Sequence, residues 1–149
     1  MPGIEISADP ARLDLDVIHA FLAAAYWSRG IPRAVVERAV RNSVCFGAYA
    51  GRAQVGFARV VSDRATFAYL ADVFVLEPFR GRGIAKRMMR AVLAHPELQG
   101  LRRWSLVTHD AHGLYRQFGF LPLAHPDYHL EIHHPGIYLE AAPAPPPPD

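Results

Sequence analysis

The stretch Leu70-Ala71-Asp72-Val73-Phe74-Val75-Leu76-Glu77-Pro78-Phe79-Arg80-Gly81-Arg82-Gly83-Ile84-Ala85-Lys86 decides the fold of this chain. Its β-branched and aromatic first half reads as a strand, and Glu77-Pro78 stops that strand. Arg80-Gly81-Arg82-Gly83 is a loop, and from Ile84 the apolar positions Ile84, Met88, Ala91 and Val92 recur at helical spacing as far as Pro96. A strand therefore enters a glycine loop, and the loop opens a helix. Residues without side-chain bulk let an anion approach the main chain closely. The first helical turn offers N–H groups with no intrahelical partner, and the helix dipole adds about half a positive charge there. With Arg80, Arg82, Lys86 and Arg87 nearby, the segment is suited to an anion such as a diphosphate. The bland alternative is a charged loop before a basic helix start. A nucleoside-triphosphate P-loop is excluded because no Gly-Lys-Ser/Thr follows. A dinucleotide fingerprint would need a small residue where Lys86 stands, and it normally opens the first strand–helix–strand unit of a chain.

Upstream, Ile4 to Ser7 reads as a short strand. Asp14 or Asp16 can cap a helix in which Ile18, Phe21, Leu22 and Tyr26 recur, with Gly30 as its breaker. Pro32 suits the first turn of a second helix with Val35, Val36, Ala39 and Val40 on one face. Val44 to Tyr49 and Ala53 to Ser62 are strand-like around a tight Gly51-Arg52 reversal, and Thr66 through Leu76 is a third long β-prone run. Downstream, Arg103 to Val107 reads as a short strand, Ala111 to Phe118 as a short helix ended by Gly119, and Leu121 begins a last extended region. The order is strand, two helices, three strands, helix, strand, helix, final strands. The expected class is α/β, one domain over residues 1–140 built on a mixed sheet with helices on its faces.

The 149 residues suffice for one packed core, and a net charge of +2 gives no reason to expect nucleic acid or an anionic membrane as partner. No run approaches the ~18 apolar residues of a membrane span, and the first ten residues lack the apolar run of a secretory signal. The lone Cys45 can form no internal disulfide, so the reducing cytoplasm fits best. From Ala141 the chain is Ala/Pro-rich up to Asp149, and that tail is expected to be disordered.

A second motif follows: Ala111-His112-Gly113-Leu114-Tyr115-Arg116-Gln117-Phe118-Gly119-Phe120. Arg80-x-x-Gly83-x-Ala85 after the Val73-Phe74-Val75 strand resembles the signature of the GNAT N-acetyltransferase superfamily. The second motif resembles that family's Ala-x-x-Leu-Tyr-x-x-x-Gly-Phe segment, and the element order agrees from Ile4 to about Tyr138. The resemblance implies acetyl-CoA as co-substrate and an amine as acceptor. It implies that the main chain of Val73, Phe74 and Val75 pairs with the pantetheine arm. Arg80, Gly81, Arg82, Gly83, Ile84, Ala85 and Lys86 would hold the diphosphate. Where the family often has asparagine seven residues before its tyrosine, this chain has Thr108, a variant contact to the coenzyme. Homodimers are common in the family.

Tyr115 corresponds to the family's general acid, which protonates the departing thiolate; the alternative is a core tyrosine beside Leu114 and Phe118. Asp72 interrupts an apolar strand and is the candidate base for the attacking amine, or else a structural carboxylate bonded to nearby groups. The break between the first two helices, where the family shapes its acceptor site, carries Tyr26, Trp27 and Arg29. These suit an amine with an apolar body, or one bearing a carboxylate; packing of the two rings onto the core is the alternative. The histidines His109, His112, His125, His129, His133 and His134 are read as solvated or hydrogen-bonded rather than as metal ligands, so no metal is expected. Two other functions stay open beside acetylation of a small amine: a non-catalytic acyl-CoA-binding module, and transfer to a protein amine.

Overall fold

The structure is a computed structural model that describes residues 3–140. One five-stranded sheet runs in the order β1-β2-β3-β4-β5, with β1 at Ile4–Ser7, β2 at Val44–Ala50, β3 at Ala53–Ser62, β4 at Phe67–Val75 and β5 at Arg103–Leu106. The first four strands pair antiparallel, while β5 joins β4 in parallel. A parallel neighbour needs a crossover. Here it is helix α3 (Ile84–Ala94), which carries the chain from the end of β4 back to the start of β5.

Alternation along the strands sorts side chains onto two faces. Phe46, Ala58, Val60 and Leu70 point to the face covered by α3 through Met89 and Val92. Cys45, Phe57 and Phe74 point to the other face, beneath Ile18 and Leu22 of α1 (Leu15–Ala24) and Val36 of α2 (Arg33–Arg41). Asp14 caps α1, accepting from the amides of Asp16 and Val17. Helix α1 ends at Ala24, well before Gly30, so residues 25–32 form a loop rather than a further helical turn. Pro32 stands just outside α2, as its N-terminal cap.

The expected final strands are a correction. After α4 (His112–Arg116) the described residues form two single-turn helices, Pro126–Tyr128 and Ile137–Leu139, and no strand. Pro122, Pro126 and Pro135 interrupt the segment, and a proline lacks the N–H that a ladder needs. The arm returns across the molecule, where Tyr138 packs on the α1–α2 cluster. The Ala/Pro tail, residues 141–149, lies outside the described residues. Among the described residues no helix is long and apolar enough to cross a membrane.

Candidate active site

Two irregularities in β4 build the site. The first is a bulge. Phe57 of β3 faces Phe74 and Arg59 faces Ala71, so β4 spends one more residue than β3 over the same span. Asp72 sits in that span with φ of 55°, left-handed backbone that aspartate tolerates better than most side chains. The second is a parting of strands. The ladder to β5 covers only Phe67 with Arg103 through Leu70 with Leu106, while β4 continues to Val75. Residues 71–75 therefore border a gap where β5 would lie. Across the gap stands α4, and the glycine loop closes the end.

The gap is a cavity of about 420 Å³. Its walls bring together most of the residues that the sequence singled out: Val73, Phe74 and Val75 from the strand, Arg80, Gly81 and Gly83 from the loop, Ile84, Ala85 and Lys86 from α3, and Tyr115 from α4. Phe79, Ala111 and Leu114 complete the lining, the last two being the small and apolar positions of the second motif. Gly81 and Gly83 have φ of 79° and 76°, a conformation that side chains rarely adopt, and nothing stands within 4 Å of where a Cβ would project. The N-cap of α3 is Gly83, which has no side chain to offer the helix's first amides, and Gly83 through Lys86 line the cavity end. Arg80 folds back, its Nε donating to the Val75 carbonyl at 2.9 Å, which ties the loop to the strand end. Arg82 does not line this cavity; its guanidinium lies over the Phe79 ring, 5.4 Å from the centroid.

Tyr115 is buried, at 8% exposure, and forms a wall between this cavity and a second one of about 300 Å³ lined by Leu106, Thr108, His112, Arg116, Phe120, Leu121 and Pro122. Burial raises the phenol's pKa, and the charge of Asp110 pushes it the same way. The group therefore stays protonated and able to donate through neutral pH. Thr108 belongs to the second cavity, where its Oγ1 accepts from the amide of Ala111 at 3.0 Å and holds the entry to α4.

Asp72 does not stand free. Its Oδ1 accepts from Trp27 Nε1 and its Oδ2 from Arg59 Nε, both at 2.8 Å. Arg59 in turn donates from Nη1 to Ser43 Oγ at 3.2 Å, and its pair with Asp72 is largely shielded, with side chains 19% and 11% exposed. Arg59 was missed in the sequence, where it looks like any outward strand residue. Tyr26 and Trp27 meet edge to face at 5.1 Å, and Tyr26 reaches the His109 ring at 5.8 Å. Arg29 is exposed on the same loop. Cys45 is buried, which pushes its thiol pKa up to about 12 and leaves it no thiolate character near neutrality. Among the described residues no group of three or more metal-binding side chains could hold an ion.

A strand edge left open beside a glycine loop and a helix start, with a buried phenol at the gap, has the shape and chemistry to take an elongated anionic ligand. Comparison with known proteins places it more closely. Residues 41–122 match the family model described as the acetyltransferase (GNAT) domain. A Gibberella zeae protein whose name assigns it as an acetyltransferase is 34% identical, over 70% of this chain and 71% of that one. A crystal structure from Xanthomonas campestris, described as a GNAT-family acetyltransferase, is 52% identical with a TM-score of 0.90, covering 93% of this chain and 98% of its own. An acetyltransferase of Clostridium acetobutylicum solved with acetyl-CoA shares the fold at 16% identity, with a TM-score of 0.65 over 88% of this chain and 96% of that one. The chain belongs to the GNAT acetyltransferase family.

Proposed function

We propose that the enzyme transfers the acetyl group of acetyl-CoA to the primary amine of a small molecule, by direct attack and without a covalent enzyme intermediate. The observation that carries this is the gap beside residues 71–75, open along its length and ended by the uncapped start of α3. An unpaired strand edge is a template for an amide-bearing arm, as it is for an extended peptide. The main chain of Val73, Phe74 and Val75 aligns the pantetheine, and the amides from Gly81 to Lys86 receive the diphosphate, with Arg80 bracing the loop and Arg82 stacked on Phe79 beside it. Ile84 and Ala85 contribute backbone and small apolar walls, and Thr108 fixes the entry to α4 so that Tyr115 stays aimed at the gap. Acetyl-CoA bound to a Clostridium acetobutylicum protein of the same fold supports the assignment.

The chemistry needs a neutral amine, a positioned carbonyl and a proton for the leaving sulfur. The amine nitrogen forms a bond to the acetyl carbon, the carbon–sulfur bond breaks, and the Tyr115 hydroxyl donates to the departing thiolate. With a phenol near ~10 and a thiol near ~8.5 as reference values, and burial raising Tyr115 further, hydrogen-bond donation matters more than complete transfer. Positioning of the two reactants supplies much of the remaining acceleration. Asp72, the base expected from the sequence, already has a donor on each oxygen, so we assign the amine's proton to solvent at the cleft mouth. Tyr26, Trp27 and Arg29 on the exposed loop border the amine's approach. We place the enzyme in the cytoplasm, where acetyl-CoA is made and a lone thiol stays reduced, and leave its assembly as monomer or homodimer to a sizing experiment.

The test is a panel of amines incubated with acetyl-CoA, following release of the coenzyme thiol, with peptide amines as a separate arm. Turnover on small amines is the expected result. Turnover on peptides alone would move the acceptor class to proteins. Tight acetyl-CoA binding with no turnover on any amine would leave a binding module.

A further inference from the structure

Trp27 and Asp72 are 45 positions apart in sequence, yet the indole Nε1 donates to Asp72 Oδ1 at 2.8 Å. Three features make that bond more than incidental. The carboxylate is fixed from behind, because Arg59 holds its other oxygen at 2.8 Å and is itself held by Ser43. The backbone beneath it is the bulge, with Asp72 at φ of 55° where β4 parts from β5. The indole, by contrast, is not locked by burial: Trp27 is 39% exposed and its edge-on neighbour Tyr26 is 60% exposed. Phe21 touches the indole from one side at 6.3 Å between centroids, and Tyr26 continues the row to His109 on the loop after β5. A half-exposed ring with one strong polar anchor takes its position from that anchor. The loop's other ties, Ser28 Oγ to the Leu22 carbonyl and Gly30 N to the Ala23 carbonyl, fix its backbone and leave the indole angle open.

We propose that Asp72 is a positioning residue: it pins Trp27, and with it the aromatic row Trp27–Tyr26–His109, over the open half of β4, so that the acceptor meets a preformed wall beside the acetyl group. The inference deepens the N-acetyltransferase assignment and rests on it. Asp72 acts here as an anion that accepts two hydrogen bonds and takes no proton from the amine. Preorganisation of this kind is felt in acceptor binding. A proton-transfer role would be felt in turnover and its pH dependence.

The experiment compares Trp27→Phe, Asp72→Asn and the double variant, with the best amine from the panel and acetyl-CoA. Each single change is expected to raise the amine KM about 10-fold, as loss of one charge-assisted hydrogen bond does. Turnover should stay within about threefold of the parent, and the pH profile of kcat should keep its midpoint. The double variant should be no worse than the worse single, because both remove the same link. If Asp72→Asn lowers kcat by about 100-fold and displaces its pH profile while Trp27→Phe behaves as the parent, or if the two losses multiply, the proposal is overturned. Trp27→Phe leaves the Arg59–Asp72 pair intact and carries the kinetic test if Asp72→Asn does not fold. A second readout needs no amine. The chain has two tryptophans, so in a Trp104→Phe background the emission is that of Trp27. Removing its anchor through Asp72→Asn should make that emission clearly more accessible to acrylamide. Unchanged quenching would refute the clamp even in a protein that acetylates nothing, whereas absent turnover with increased quenching would refute the proposed activity alone.

Discussion

The two ends of β4 have similar residues and different neighbours. Residues 68–70 are zipped on both sides, to β3 and to β5, and Ala68 and Leu70 are buried in the main core. Residues 71–75 keep β3 on one side and have no β5 partner on the other, where Val73, Phe74 and Val75 line the cavity. The changeover falls at Asp72, where one extra residue re-aims the strand. Completed hydrogen bonding stabilises the first half, while main-chain groups left without a strand partner at a cleft remain available to a ligand. On the proposed reading, one strand serves as scaffold and as receptor.

If that division holds, changes in the two halves should fail in different assays. The largest effect is expected from Tyr115→Phe, which removes the donor facing the open half. Turnover should fall about 10²–10³-fold while acetyl-CoA affinity, measured by calorimetry, stays within about threefold of the parent. Because burial raises the phenol, the parent should show no loss of turnover from Tyr115 ionisation below the ordinary phenol value of ~10. Next is Gly83→Val. A β-branched side chain at φ of 76° strains the loop and stands beside the start of α3, so acetyl-CoA should bind on the order of 100-fold more weakly, with a fall of only about a few degrees in the melting temperature.

The zipped half should respond the opposite way. Leu70→Ala, at a side chain 3% exposed, should cost about 3 kcal/mol in a denaturant titration and leave the folded fraction's acetyl-CoA affinity nearly intact. A fall in affinity as large as the fall in stability would merge the two halves and break the comparison. The smallest effect is expected at the turn that starts the zipped half. Asp63 accepts hydrogen bonds from the Thr66 hydroxyl and from the amides of Thr66, Ala65 and Phe67, which lower its pKa well below the usual carboxylate range. A carboxyl depressed in the folded state contributes stability above its unfolded pKa near ~3.9 and loses that contribution as pH falls through the folded value. Asp63→Asn should therefore lower the melting temperature slightly near neutrality, where the carboxylate's contribution is fully present, and flatten the profile below about pH 4, so that variant and parent converge in acid.

The sequence made the scaffold legible where local chemistry decides it. An aspartate cap at Asp14 or Asp16, of which the structure uses Asp14, the Gly51-Arg52 reversal and the Ile84–Met88–Val92 stripe each needed only their neighbours. The glycine loop and Tyr115 were legible too, through a motif whose physics can be stated residue by residue. The bulge was not. Asp72 signalled itself as a polar break in an apolar run, and aspartate's tolerance of left-handed backbone was the available hint, but the extra residue exists only relative to β3. Its two partners were equally hidden, since Arg59 and Trp27 reach it only after the strands pair and the α1–α2 loop folds over them. The arm after α4 misled for a related reason. The extended region from Leu121 reads as holding final strands, but a strand needs a neighbour, and Leu130 and Ile132 stand 98% and 93% exposed.

Amide hydrogen exchange with and without acetyl-CoA tests the central claim most directly, because it reads the same main-chain groups that the claim invokes. Binding should slow exchange in residues 73–75 and in the loop and first turn from Gly81 to Lys86, and leave residues 67–70 as they were. Protection that falls elsewhere, or a folded protein whose exchange is indifferent to acetyl-CoA, would contradict the account.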